Sequence, residues 1–280
     1  MIEHVRLIVN ADDYGLTPGV STGIREAHLR GIVTCTTAMM VFAQVETDLQ
    51  AAQEQCPKLG LGVHLVVSEY TPLRPRANVR TLTGTDGQFH TAGVVFGANG
   101  RALLAHMDTV ELRDEWRAQI ERFLALQLPI DHLDCHHHLA YQNEAMFDVL
   151  LGLAREYATP IRVPVDACFT SDRSGWTLDP GGEFGWLVSR LPPIDMPHPD
   201  GFIGNFYDAT ATAAQLLETL DLLSSGTFEL MCHPGHVDAA LPAITSYHAP
   251  RAGEIAALTD ARVQALIREQ GIELITFAQI

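Results

Sequence analysis

The sequence predicts an α/β fold with a mainly parallel sheet. Short apolar runs rich in β-branched residues alternate with amphipathic segments of helical period, and no linker-like stretch interrupts this alternation. A helix between two consecutive strands returns the chain so that the strands pair in parallel. Because 280 residues is a common length for one β/α barrel, we expect a single domain over residues 1–280.

The first half of the chain is predicted to contain three strands and three helices. Thr17 and Pro18 suit an N-cap and the first helical position, and Gly31 is placed to end that helix. Residues 68–105 keep no period and contain several turn signals, so we predict an irregular insertion there. The predicted strands are 5–11, 32–42 and 59–67, and the predicted helices are 18–31, 45–55 and 108–126.

The second half continues the same alternation around another irregular stretch. Residues 165–210 are rich in glycine, proline and aspartate and keep no sustained period. The predicted strands are 130–135, 160–163, 227–232 and 272–276, and the predicted helices are 144–157, 213–223 and 251–270.

Charge and composition disfavour several classes of function. Acidic residues outnumber basic ones 34 to 18, for a net charge of −16, so we expect neither a nucleic acid nor a membrane as partner. Lys58 is the only lysine, which argues against enzymes that form a Schiff base. We see no signal peptide, no long apolar run and no paired cysteine motif, and we expect a cytoplasmic protein with reduced thiols.

Polar residues that can bind a metal occur at the ends of four predicted strands. The carboxyl ends of parallel strands meet at one edge of the sheet, so these side chains are expected to converge. One aspartate with two histidines is a recurrent ligand set for a catalytic divalent metal. The residues are Asp12, Asp13, His64, His136, His137, His138 and His233.

Each of these residues also has a purely structural interpretation. Asp12 and Asp13 suit the start of the following helix, and a single buried His64 is typical of a core histidine. In an extended run, His136 and His138 would share one face, so one or two of the three histidines are candidate ligands and at least one is structural. The joint occurrence at four strand ends favours a site.

Four motifs together resemble the YdjC-like carbohydrate deacetylases, which include chitooligosaccharide deacetylases and hopanoid-associated deacetylases. The motifs are NADDYG at 10–15, GVH at 62–64, HLDCHHH at 132–138 and ELMCHP at 229–234. The resemblance covers most of the chain in the family's order, except the two irregular stretches. It implies a distorted TIM-like β/α barrel with mainly parallel strands and irregular insertions.

The resemblance also implies roles for the motif residues. Asp13, His64 and His136 correspond to the metal ligands, and Asp12 corresponds to the general base. We choose His233 as the second residue that handles a proton, because histidine titrates in the right range.

One position departs from the family pattern. The family often has His-His-His-Val-His after the fourth strand, whereas this chain has Ala140 in place of the last histidine. If that position touches substrate in relatives, the substrate preference of this chain is in doubt.

Substrate contacts are harder to identify from the sequence. Tyr14, His138 and Arg251 are candidate contacts for the sugar, although local pairing is the more ordinary role for Arg251. Further aromatic candidates for stacking on pyranose rings are Trp176, Trp186, Phe202 and Phe206. For any single one of these aromatic residues, packing in the core or in a loop is the favoured interpretation.

The expected reaction is removal of an N-acetyl group from a small acetylated amino sugar or chitooligosaccharide. A water on one divalent metal ion, magnesium or zinc, would attack the acetamide. A metallophosphoesterase or amidohydrolase-like enzyme is an alternative, although such enzymes usually have two metals and an early His-x-His. A non-catalytic sugar-binding relative is a third possibility, and a cysteine ligand from Cys135 or Cys232 is a minor one. A homodimer is the default assembly.

Overall fold

The computed structural model describes residues 4–171, 175–191 and 194–280. Residues 1–3 lie outside this part, and they belong to the segment where no signal peptide is predicted. Residues 172–174 and 192–193, in the predicted irregular stretch at 165–210, also lie outside it. The strands are β1 (Val5–Tyr14), β2 (Cys35–Ala38), β3 (Gly60–Leu65), β4 (Leu133–Cys135), β5 (Ala167–Phe169), β6 (Trp176–Leu178), β7 (Gly201–Ile203), β8 (Gly226–Cys232) and β9 (Glu273–Leu274). The helices are α1 (Pro18–Arg30), α2 (Val45–Gln55), α3 (Ala92–Val95), α4 (Gly100–His106), α5 (Thr109–Leu124), α6 (Glu144–Tyr157), α7 (Ala213–Asp221), α8 (Leu241–Ile244), α9 (Arg251–Leu258) and α10 (Ala261–Gln270).

The main sheet confirms the predicted α/β fold. Its strands run in the order β4-β3-β2-β1-β8-β7, with β9 beside β1, and every pairing in this sheet is parallel. The central strand β1 is almost entirely buried, as expected for a parallel strand covered on both faces. The antiparallel pair β5–β6 stands apart from the main sheet.

An irregular segment joins the two edges of the main sheet. Ile161 forms a parallel bridge with Leu133 of β4, and Asp166 forms one with Phe202 of β7. The sheet therefore curls into a distorted TIM-like barrel. The predicted strand at 160–163 lies in this segment but forms only isolated bridges, because Pro160 and Pro164 have no amide hydrogen to donate.

Two other predictions of secondary structure are wrong in detail. The predicted helix at 251–270 is two helices, because Asp260 adopts an extended conformation and caps α10 by accepting from the Arg262 amide at 2.8 Å. The irregular stretch at 165–210 contains β7, a three-residue strand of the main sheet. Within the described ranges, none of the helices is long and apolar enough to cross a membrane.

Glycine at position 62 allows β3 and the start of β4 to approach closely. A Cβ at Gly62 would lie 2.6 Å from the carbonyl oxygen of His132 and 2.8 Å from the Thr37 side chain. Gly152 is the opposite case, because it is exposed in the middle of α6 and a Cβ there would meet no atom within 4 Å.

We therefore expect opposite effects from the same substitution at these two glycines. Gly62→Ala should lower the free energy of unfolding by about 1–3 kcal/mol through overpacking. Gly152→Ala should raise it by about 0.5–1 kcal/mol through helix propensity. Urea denaturation followed by circular dichroism measures both. A neutral Gly62→Ala would contradict the close approach of the two strands.

Candidate active site

A cleft of about 850 Å³ opens at the carboxyl ends of the parallel strands. In parallel α/β folds, side chains from different strands converge at this edge. All four strand ends with polar motifs contribute to the cleft. The contributing side chains are Asp12 and Asp13 of β1, His64 of β3, His136, His137 and His138 after β4, and His233 after β8.

Asp13, His64 and His136 meet on the floor of the cleft. Asp13 Oδ1 lies 3.6 Å from His64 Nε2 and 3.3 Å from His136 Nδ1, and the two ring nitrogens are 3.3 Å apart. All three side chains are buried, and Asp13 Oδ1 has no hydrogen-bond partner among the described residues. One carboxylate oxygen and two imidazole nitrogens within reach of one another are a recurrent ligand set for a divalent cation. These three side chains could therefore hold a divalent metal.

Arg251 keeps Asp13 ionised. Burial alone would raise the pKa of Asp13, but the Arg251 guanidinium, which donates to Asp13 Oδ2 at 2.5 Å, holds that pKa well below its usual range. Asp13 also has a left-handed backbone, with φ of 72°, where the register between β1 and β2 shifts. A regular strand would point Asp12 and Asp13 to opposite faces. Here both carboxylates line the same cleft.

Asp134 orients His64 from behind the cleft. Its Oδ1 lies 2.7 Å from His64 Nδ1, and its Oδ2 accepts a hydrogen bond from the Thr37 hydroxyl at 3.0 Å. Burial alone would lower the pKa of His64, but the Asp134 carboxylate raises it to about 9. A carboxylate on one ring nitrogen directs the other nitrogen at the site, as is common for metal-binding histidines. The sequence motif contains Asp134 but does not reveal this role.

Arg162 holds Asp12 in a bidentate ion pair. Its two terminal nitrogens donate to the two Asp12 oxygens, both at 2.7 Å, and Asn10 Nδ2 donates to Oδ1 at 2.8 Å. Burial alone would raise the pKa of Asp12, but the Arg162 guanidinium keeps it well below its usual range. Asp12 therefore faces the cleft as a fixed carboxylate.

The same guanidinium contacts two further buried carboxylates. Arg162 lies 3.0 Å from Asp134 Oδ2 and 2.7 Å from Glu229 Oε1, and all of these side chains are fully buried. Sequence reasoning missed Arg162. The available signal was an arginine between Ile161 and Val163 in a predicted buried strand, where a charge needs partners.

His233 lies beside Asp12 on the cleft wall. Its Nε2 is 3.9 Å from Asp12 Oδ2, and its backbone amide donates to Glu254 Oε2 at 2.5 Å. Burial lowers the pKa of His233 to about 4, although Asp12 and Asp13 act in the opposite direction. His233 is therefore a neutral imidazole near pH 7, and its Nδ1 is buried without a partner among the described residues.

The run of three histidines is not an extended strand, so the expected alternation of faces is wrong. Residues 136–141 form a 3₁₀ turn in which His137 and His138 both have positive φ, 56° and 54°. His137 stacks on His136 with ring centroids 3.9 Å apart, and its Nδ1 lies 3.1 Å from the Ser68 hydroxyl. Left-handed backbone at non-glycine residues is unfavourable and is concentrated at functional sites.

Two further sequence observations concern residues on this turn. His138 lines the cleft near the rings of Phe184 and Phe202, at 5.5 and 5.7 Å between centroids. Ala140 is fully buried in the hydrophobic core. The effect of this departure on substrate preference stays a prediction.

The other two predicted substrate contacts lie in different places, one in the core and one in the cleft. Tyr14 is fully buried in the core, where its hydroxyl donates to the Asp48 carbonyl at 2.6 Å and accepts from Arg25 at 2.7 Å. Tyr14 therefore does not contribute to the cleft. Arg251 does line the cleft, but it binds Asp13 and also donates to the carbonyl of Tyr247.

The two cysteines beside the motifs are poor candidates for metal ligands. Burial raises the pKa of Cys135 and Cys232 far above the ordinary range, so both are protonated thiols. Cys232 Sγ donates to the Asn10 carbonyl at 3.3 Å. Metal coordination requires the thiolate.

A separate group of metal-competent residues lies at the opposite end of the strands. Cys35, Asp131 and His132 are buried together there. Asp131 already lies 3.0 Å from His132 Nδ1 and accepts from the backbone amides of Phe277 and Ala278. Its contacts support a structural role that fixes the C-terminal turn.

Comparisons with known proteins agree with this architecture. A carbohydrate deacetylase of Enterococcus faecalis is 33% identical over 280 residues, covering 98% of each chain. A carbohydrate deacetylase of Geobacillus stearothermophilus is 34% identical, covering 97% of this chain and 96% of the relative. A crystal structure from E. faecalis, described as a putative cellobiose-phosphate cleavage protein, matches with a TM-score of 0.85 and 31% identity, covering 99% of this chain and 98% of that one.

The family model described as YdjC-like protein matches residues 6–269. This span contains every strand end that contributes to the cleft. With a family match over most of the chain and relatives of similar length above 30% identity, this chain belongs to the YdjC-like protein family.

Proposed function

We propose that this protein is a metal-dependent carbohydrate N-deacetylase. Its substrate would be a small acetylated amino sugar or a chitooligosaccharide, which is hydrolysed to acetate and the free amine. The convergence of Asp13, His64 and His136 beside the fixed carboxylate of Asp12 is the observation that carries this proposal. The relatives named carbohydrate deacetylase support the reaction class.

Asp13, His64 and His136 would hold one divalent ion, magnesium or zinc. The unpartnered Asp13 Oδ1 and the two facing ring nitrogens fit such an ion. When bound, the ion would lower the pKa of a water and stabilise negative charge on the carbonyl oxygen of the acetamide.

The chain's own residues would move the protons. Asp12, ionised and fixed by Arg162, would accept a proton from the attacking water. His233 is neutral and 3.9 Å from Asp12, so it would receive that proton and pass it to the leaving nitrogen. The water oxygen joins the acetyl carbon, and the C–N bond breaks as the nitrogen takes the proton from His233 and leaves as the free amine. The second proton of the water stays on the acetic acid, which ionises to acetate.

Arg162 argues against a two-metal phosphoesterase or amidohydrolase. A second ion beside the first would use carboxylates such as Asp12 and Asp134. The Arg162 guanidinium already binds both of them, at 2.7 and 3.0 Å. The geometry therefore favours a single ion.

Chelation tests the metal dependence of the proposed reaction. We expect acetate release from diacetylchitobiose to stop after dialysis against EDTA and to return when magnesium or zinc is added. Release that continues at full rate without metal would contradict metal dependence. Binding of acetylated sugars without any acetate release would instead support the non-catalytic alternative.

Substitution of the proposed base tests the proton path. Asp12→Asn keeps the shape and removes the basic oxygen, so we expect kcat to fall by about 10²–10⁴-fold with a smaller change in KM. Asp86→Asn, at an exposed turn away from the cleft, is the matched control and should be unchanged. An Asp12→Asn variant with normal kcat would overturn the assignment of the base.

A further inference from the structure

Two aromatic rings are exposed on the walls of the cleft. Phe96 is 51% exposed and Tyr207 is 43% exposed, and both line the cleft. Of the aromatic residues that the sequence suggests for stacking, Phe202 lines the cleft but is only 4% exposed, and the other three lie elsewhere. The indoles of Trp176 and Trp186 donate to the backbone carbonyls of 225 and 141, and Phe206 is fully buried.

Tyr207 forms a rigid surface beside the proposed proton donor. Its ring stacks on Tyr247 with centroids 4.3 Å apart and an angle of 13° between planes. The Tyr247 hydroxyl is fixed by Glu254 Oε1 at 2.5 Å and by the amide of Asp208 at 2.9 Å. Both tyrosine rings lie 5.5 Å from the His233 ring. Tyr207 is therefore preorganised without any ligand.

Phe96 forms the corresponding surface beside the proposed metal ligands. It follows α3 in the insertion at 68–105 and meets the His137 ring edge to face, with centroids 5.9 Å apart. His137 in turn stacks on His136. Phe96 therefore lies beside the histidine turn that follows β4, whereas Tyr207 lies beside His233, which follows β8.

The lining of the cleft is rich in carboxylates. Asp166, Glu183 and Glu218 contribute carboxylates in addition to Asp12 and Asp13. Arg251 is the one lysine or arginine among the described residues of the lining, and it is paired with Asp13. This excess of carboxylates favours the product amine once it is protonated.

We propose that Phe96 and Tyr207 are stacking positions for the sugar rings on either side of the reacting ring. A pyranose presents an apolar face of C–H groups, which packs well on an exposed aromatic ring. The substrate would then be an N-acetylated oligosaccharide of three or more rings, with the reacting ring over the floor of the cleft. This inference rests on the proposed function for the identity of the reacting ring.

The length of the sugar substrate and substitutions at the two rings together test the stacking positions. We would measure kcat/KM for one to four N-acetylglucosamine units with wild type, Phe96→Ala, Tyr207→Ala, Phe96→Tyr and Tyr207→Phe. Wild-type kcat/KM should rise up to three rings and then level off. Each alanine variant should lose about tenfold on the three-ring substrate and stay within about twofold on the single sugar.

The conservative variants and the control separate stacking from a structural role. Phe96→Tyr and Tyr207→Phe keep the ring and should retain the length dependence. Leu29→Ala, which truncates an exposed side chain of α1 outside the cleft, should behave as wild type. Equal losses on one-ring and three-ring substrates, or no loss on either, would overturn the proposal.

Binding measurements distinguish this inference from the proposed function. Calorimetry with the three-ring oligosaccharide should show about tenfold weaker binding to each alanine variant, whether or not the protein releases acetate. Acetate release without any length dependence would leave the deacetylase proposal intact and contradict the stacking positions.

Discussion

The buried guanidinium of Arg162 is the interaction on which the site depends. It binds Asp12, Asp134 and Glu229 in the interior of the barrel. Without this cation, the burial of Asp12 would favour the neutral form of its carboxyl group. Removing one partner of a buried ion pair costs about 3–5 kcal/mol. Arg162 thus fixes Asp12 directly and fixes His64 through Asp134.

Arg162 also links the closure of the barrel to the assembly of the site. It lies in the segment at 160–166 that bridges β4 and β7. The Tyr141 hydroxyl, in the turn that carries the three histidines, donates to the Arg162 carbonyl at 2.9 Å. The turn after β4, the closing segment and the Asp12 carboxylate on β1 are therefore held as one unit. This rigidity suits the proposed reaction, which would need a fixed carboxylate beside a metal.

The fold could be predicted where the chain is periodic. The bounds of α2 and α6 agree with the sequence prediction because the buried residues of each helix recur on one face, and Asn143 also caps the start of α6. The strand β7 was missed because three residues in a glycine- and proline-rich stretch show no period. The predicted helix at 251–270 is too long. Its apolar pattern is continuous, but Asp260 is extended and caps the start of a new helix.

The sequence indicates which residues lie at the candidate site, but it does not indicate the contacts that they make with one another. Strand ends indicate the wider set of candidate residues, because parallel topology brings such ends together, and the resemblance to the family singles out Asp13, His64 and His136 among them. Arg162 and Asp12 are 150 positions apart, and no local pattern reports that contact. Tyr14 directly follows Asp12 and Asp13, but its side chain is buried in the core after the left-handed backbone at Asp13. Because Asp13, His137 and His138 have positive φ, regular strand geometry does not predict the directions of their side chains.

Metal content tests the central claim of this account most directly. Purified wild type and Asp12→Asn should each contain about one equivalent of a divalent metal by elemental analysis. Asp13→Ala, His64→Ala and His136→Ala should each lose it while remaining folded by circular dichroism. Full metal content in all three folded alanine variants would contradict the account.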